Sequence, residues 1–61
     1  MKTKLIEKLT NGDIIDGNKG ALHIISNDKG LLFCYNEKTG LFETHNLKRN
    51  YNNGDAVYIL N

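Results

Sequence analysis

Asn27-Asp28-Lys29-Gly30 and Asn36-Glu37-Lys38-Thr39-Gly40 are the two stretches on which the fold of this chain turns. The first separates the apolar runs 21–26 and 31–35, and the second separates 31–35 from 41–45. Each stretch ends in glycine, the residue that accepts the left-handed backbone needed after a type I turn with a bulge. Together they predict a three-stranded antiparallel meander. With that turn type at both places, Ile25 falls opposite Phe33, Ile24 opposite Cys34 and His23 opposite Tyr35. On the next pair Tyr35 faces Glu43, Cys34 faces Thr44 and Phe33 faces His45.

Side chains alternate along a strand, so this register yields two unlike faces. One carries Leu22, Ile24, Leu32, Cys34, Phe42 and Thr44 and reads as core, with Leu5, Leu9, Val57 and Ile59 as natural additions. The other carries His23, Ile25, Leu31, Phe33, Tyr35, Leu41, Glu43 and His45. Apolar residues on both faces ordinarily mean that both are covered, which favours a sheet curled into a barrel with the aromatic set inside. The sharper reading leaves that set in solvent as an aromatic platform for a base or a partner. A slip of one residue would exchange every assignment.

Outward from the meander, residues 3–10 have two readings. Leu5, Ile6 and Leu9 fall on one helical face, with Thr3 as a cap and Asn11-Gly12 as a stop. As a strand, the same Asn-Gly would turn a hairpin into Ile14-Ile15, but it would set Glu7 opposite Asp16. A helical turn or two is therefore preferred. Residues 13–16 read as a short strand, 16–20 as a glycine-rich loop, 45–54 as irregular and rich in turn formers, and 56–60 as a closing strand.

Sixty-one residues make one domain, 1–61, with a small core. A chain this short buries only about 60% of the surface its unfolded form exposes. The eight leucines and six isoleucines must therefore nearly all contribute. The lone Cys34 has no disulfide partner and no zinc spacing around it. The longest apolar run, Leu31-Leu32-Phe33-Cys34-Tyr35, is far too short for a bilayer, and no secretory segment is evident. An unpaired strand thiol suits a reducing compartment, so a cytoplasmic location with no membrane partner is expected. Formal charge is +1 with acids and bases interleaved, a poor match to a nucleic-acid or membrane surface taken whole. The many Asn, Lys and Ile residues have AT-rich codons, pointing to a bacterial or phage genome.

Catalytic chemistry finds little to work with. Ser26 is the only serine and abuts a turn, and Cys34 falls on the face opposite both histidines, where it reads as a small buried hydrophobe. His23 and His45 share a face but sit two strands apart, roughly 10 Å, too far to share an ion. Asp13, Asp16 and Asp28 lack calcium-loop spacing, and Gly17-Asn18-Lys19-Gly20 lacks the helix and spacing of a phosphate loop. A small barrel seldom encloses a cavity of ligand size. Neither enzyme activity, metal nor cofactor is expected.

Lys48-Arg49-Asn50-Tyr51-Asn52-Asn53 joins charge, an aromatic ring and amides in one loop, which suits phosphate contact and base stacking. Lys2, Lys4 and Lys8 would extend it, while Glu7, Asp13, Asp16, Glu37, Glu43 and Asp55 counter it. The plainer reading is a solvated loop.

Gly12-Asp13-Ile14-Ile15, Gly17-Asn18-Lys19-Gly20 and Leu22-His23-Ile24 resemble the opening of KOW-type and related SH3-like barrels. Leu47-Lys48-Arg49 stands where such barrels carry a short 3₁₀ turn. The resemblance spans residues 12–60 and implies a five-stranded, antiparallel, partly closed barrel, all-β with room for a short N-terminal helix. The tryptophan and paired tyrosines of polyproline-binding SH3 domains are missing, so that ligand class is not implied. Barrels of this type mostly bind proteins, RNA or DNA, and fold analogy does not choose among them. The expected function is a small non-enzymatic module that binds or inhibits a host protein. A nucleic-acid-binding barrel and a self-assembling structural protein, hence a homo-oligomer, are the alternatives. The candidate binding residues are Lys48, Arg49, Tyr51, Phe33, Tyr35, His23 and His45.

Overall fold

The computed structural model describes residues 2–17, 19–47 and 55–61, so the loop candidates Lys48, Arg49 and Tyr51 lie outside the described residues. Six strands form one antiparallel sheet: β1 (Lys2–Leu5), β2 (Ile14–Gly17), β3 (Gly20–Asp28), β4 (Leu31–Asn36), β5 (Leu41–Asn46) and β6 (Ala56–Ile59). Their spatial order is β1-β6-β2-β3-β4-β5, with β1 and β5 at the edges. No pairing joins the two edges among the described residues. The expected five-stranded, partly closed barrel is therefore corrected to a six-stranded open sheet.

The sixth strand comes from the N-terminal segment. Residues 2–5 extend along β6, pairing Thr3 with Tyr58 and Lys4 with Val57, instead of forming a helix or a hairpin with Ile14. A single 3₁₀ turn follows over Ile6–Lys8. Ile6 and Leu9, three apart, still point the same way, and both are buried. The helical spacing is real, but one turn satisfies it. Asn27 fastens this turn to the meander, donating from Nδ2 to the carbonyls of Ile6 (2.9 Å) and Leu9 (3.0 Å).

The meander is present as β3-β4-β5, but its register departs from expectation in two places. His23 faces Tyr35 and Ile24 faces Cys34 as read from the sequence. Beyond them Ile25 is an extra residue in a bulge, so Ser26, not Ile25, lies opposite Phe33. The turn itself is then a tight two-residue one. Lys29 (φ 53°) and Gly30 (φ 98°) both take positive φ, as hairpins of the I′ type require. Asn27 Oδ1 accepts from the Gly30 N–H at 2.8 Å and holds it.

The second correction has larger consequences. Asn36 pairs directly with Leu41, leaving four connecting residues where the bulged type I turn would leave five. Every β5 residue moves by one, so Tyr35 faces Phe42, Cys34 faces Glu43, Phe33 faces Thr44 and Leu32 faces His45. Phe42 and Thr44 thus leave the core face, and Leu41, Glu43 and His45 join it. Asn36 drives this choice: its Oδ1 accepts from the N–H groups of Lys38 (2.9 Å) and Thr39 (3.2 Å), closing the turn around a buried amide.

The core lies on one side of the sheet. Leu22, Ile24, Leu32 and Cys34 are covered by Leu9 and Ile15, with Leu47, Val57 and Ile59 packed at the margin. No helix among the described residues is long and apolar enough to cross a membrane.

Candidate functional site

The outer face of the meander carries the aromatic residues. Because residues directly opposite one another share a face, Ile14, His23, Tyr35 and Phe42 form a row across β2, β3, β4 and β5. Phe33 stands one step along β4 from this row. Its ring stacks on Phe42 with centroids 5.6 Å apart and planes 13° from parallel. Tyr35 meets Phe42 edge-on at 5.3 Å, and His23 meets Tyr35 edge-on at 6.4 Å. His23 Nε2 also lies 3.2 Å from Glu37 Oε2.

The two phenylalanine rings are exposed, and Tyr35 and His23 are half-buried beside them. Phe42 is 63% exposed, Phe33 40% and the neighbouring Leu31 48%. The structure therefore favours the sharper of the two sequence readings, an open aromatic platform, over a covered barrel interior. It also adds a member: Phe42, which the register read from the sequence puts in the core, is the centre of the cluster.

The candidates do not all gather there. Phe33, Tyr35 and His23 come together, while His45 lies on the opposite face, its Nε2 2.8 Å from Glu43 Oε1. The two histidines, expected on one face, are on different ones.

The inner face holds a half-open cleft of about 730 Å³, walled by Ile15, Leu22, Leu32 and Val57, with Asn36, Glu43 and His45 among its polar lining. An open sheet leaves this space where a closed barrel would have filled it. Asn36, Glu43 and His45 are matched to one another within it. Glu43 accepts from Asn36 Nδ2 at 2.9 Å with Oε2 and contacts His45 with Oε1. The His45 contact, then the Asn36 hydrogen bond, hold the Glu43 carboxyl below the usual range. No buried side-chain nitrogen or oxygen among the described residues lacks a partner.

Cys34 shares the inner face with Glu43 and His45, contrary to the sequence register, and it has no accessible surface. Its thiol donates to the Glu43 carbonyl at 3.5 Å. Burial, with the Glu43 charge second, raises its pKa, so the thiolate needed for nucleophilic work is disfavoured.

The buried Asn36 and the exposed Phe42 are the residues that sequence reasoning missed. Asn36 reads as an ordinary turn former, and Phe42 depends on a loop length that differs by one. No protein-family model, curated protein or solved structure matches the chain.

Proposed function

We propose that this chain is a non-enzymatic module that binds another protein through the outer face of its meander, with Phe33, Phe42 and Tyr35 as anchors and Leu31 and His23 at the margin. The observation that carries this reading is the exposed Phe33–Phe42 stack. Two large rings held on paired strands offer contact area with little conformational freedom left to lose on binding, the character of an interface hot spot. The inner cleft is a weaker candidate, because Asn36, Glu43 and His45 are already engaged with one another within it.

A protein partner fits better than nucleic acid. The outward positions of β3, β4 and β5 carry no lysine or arginine, and Glu37 sits beside His23. Binding to nucleic acid rests largely on cations that neutralise phosphates.

The test uses immobilised wild-type protein and the double variant Phe33→Thr/Phe42→Thr to capture proteins from a cell extract. In parallel, mixed DNA and RNA oligonucleotides are titrated against the labelled chain by amide NMR. The expected result is a discrete protein retained by the wild type and lost by the variant, with oligonucleotides leaving the spectrum unchanged. Equal retention by the variant removes the outer face from the site. Salt-sensitive shifts at Phe33 and Tyr35 on adding oligonucleotide would transfer the function to nucleic acid.

A further inference from the structure

The edge of β5, which no strand among the described residues covers, has a structure of its own. The Leu47 N–H donates to the Gly30 carbonyl at 2.9 Å, which makes Gly30 and Leu47 a hydrogen-bonded pair of the β4–β5 ladder. In an antiparallel ladder such pairs alternate with non-bonded ones. Leu32/His45, Cys34/Glu43 and Asn36/Leu41 are therefore bonded pairs, and Phe33/Thr44 and Tyr35/Phe42 are not. Phe42 and Thr44 consequently turn their backbone N–H and C=O groups away from β4, towards the open side. A row of this kind is a template for another strand.

The two edges differ in how they meet this hazard. β1 has four residues, two of them lysines, and Lys4 is tied to Asp13 at 2.8 Å. β5 has six residues and neither lysine nor proline, but it carries Glu43 and His45 on its inner side. Those two groups would oppose most strands laid beside them. They do not oppose β5 itself. Leu41-Phe42-Glu43-Thr44-His45-Asn46-Leu47 is symmetric about Thr44 in the properties that matter: Glu43 and His45 flank the centre, and leucines stand at the ends.

We propose that β5 is a self-pairing edge, on which a second copy of this chain adds its own β5 antiparallel about a two-fold axis through Thr44. In that register the two Thr44 residues exchange both backbone hydrogen bonds through groups that already face outward. Glu43 of each copy lies opposite His45 of the other, and Leu41 lies opposite Leu47. All these side-chain pairs fall on the inner face, as the alternation demands. Axes through Glu43 or His45 would also align outward backbone groups, but they would set like groups against each other, which costs stability. The match of a carboxylate with an imidazole, in place of like against like, thus selects both the occupant and the register, and the contact is isologous. The two sheets become continuous, with both Phe33–Phe42 stacks on one surface. This inference stands apart from the protein-binding reading, because it uses the edge of β5 and not the aromatic rings.

The test is sedimentation of the wild type and of Thr44→Lys over a roughly hundredfold range of concentration, since association shifts by mass action. Amide spectra confirm that each is folded. The wild type should move from monomer towards dimer mass as concentration rises, and Thr44→Lys should stay at monomer mass. A second pair of variants checks the register. Thr44→Cys should form a covalent dimer under mild oxidation, because a bonded antiparallel pair has Cα atoms about 5.5 Å apart, within disulfide reach. Glu37→Cys, on the exposed turn, should not. A wild type at monomer mass throughout overturns the proposal. So does association that persists in Thr44→Lys but disappears in Phe33→Thr/Phe42→Thr, which would place the contact on the aromatic face.

Discussion

The two faces of the meander are built from the same three strands and are similarly apolar, yet they end in opposite environments. Leu32 and Cys34 have no accessible surface, while Phe33, between them in sequence, is 40% exposed. Side-chain hydrophobicity does not separate the faces; coverage does. Residues from four other segments come over the inner side: Leu9 after the 3₁₀ turn, Ile15 on β2, Leu47 after β5, and Val57 and Ile59 on β6. No comparable set crosses the outer side among the described residues. An apolar face that the chain leaves uncovered is where a partner is expected.

The strongest way to break this contrast is to cut into the covered face. Leu32→Ala removes a fully buried side chain and should cost about 2–5 kcal/mol. A core this small supplies only about 3–5 kcal/mol in all, so the variant should be largely unfolded at room temperature by urea denaturation and circular dichroism. A loss below about 1 kcal/mol would mean that the inner face is not the core.

Asn36→Ala should come next. It removes the acceptor for two turn N–H groups and the donor to Glu43, all at a residue only 1% exposed. A loss of about 1–3 kcal/mol is expected, read from the same denaturation curves, with the amide signals of Lys38 and Thr39 moving most. A neutral outcome would show that the second turn holds without its buried amide.

Acid should produce the smallest effect, and again on the inner side. Glu43 is held below its ordinary pKa by His45 and then by Asn36; Asp13 is held down by Lys4 and then by the Thr10 N–H. A carboxyl whose pKa is lower in the folded state contributes stability above its unfolded value, and that contribution is lost as pH falls through the folded value. The melting temperature should therefore be level from neutrality down to about pH 4 and fall below it. Glu43→Gln should flatten part of that fall. An equally steep acid loss in the variant would assign the whole of it elsewhere.

The sequence told the strands of the meander apart from their turns, because glycine and asparagine punctuate apolar runs at the right spacing. It also told the faces of β3 and β4 apart, since Leu22, Ile24, Leu32 and Cys34 alternate with ring-bearing positions. It could not place β5. The loop 37–40 and a loop one residue longer read alike, and with a side-chain period of two that single residue exchanges Phe42 for Glu43. The first turn differs from its expected form without consequence, because the residue missing from the turn reappears as the Ile25 bulge and the earlier pairs keep their register. The N-terminal segment misleads because Ile6 and Leu9 do lie on one helical face, while the partner that makes 2–5 a strand, β6, is more than fifty residues away in the chain. Of the candidate site, Phe33, Tyr35 and His23 were legible, Phe42 was hidden by the register, and His45 was carried to the other side by the same error.

The most direct test of the contrast is the stability of Phe33→Thr/Phe42→Thr beside that of Leu32→Ala. Threonine keeps the strand preference, so the comparison isolates the rings. If the outer face is an uncovered binding surface, the double variant should lose only about 1 kcal/mol per ring, stay folded with a dispersed amide spectrum and no longer retain its partner. If the double variant unfolds as completely as Leu32→Ala, the aromatic face is part of the core, and the contrast between a covered and an uncovered side is contradicted.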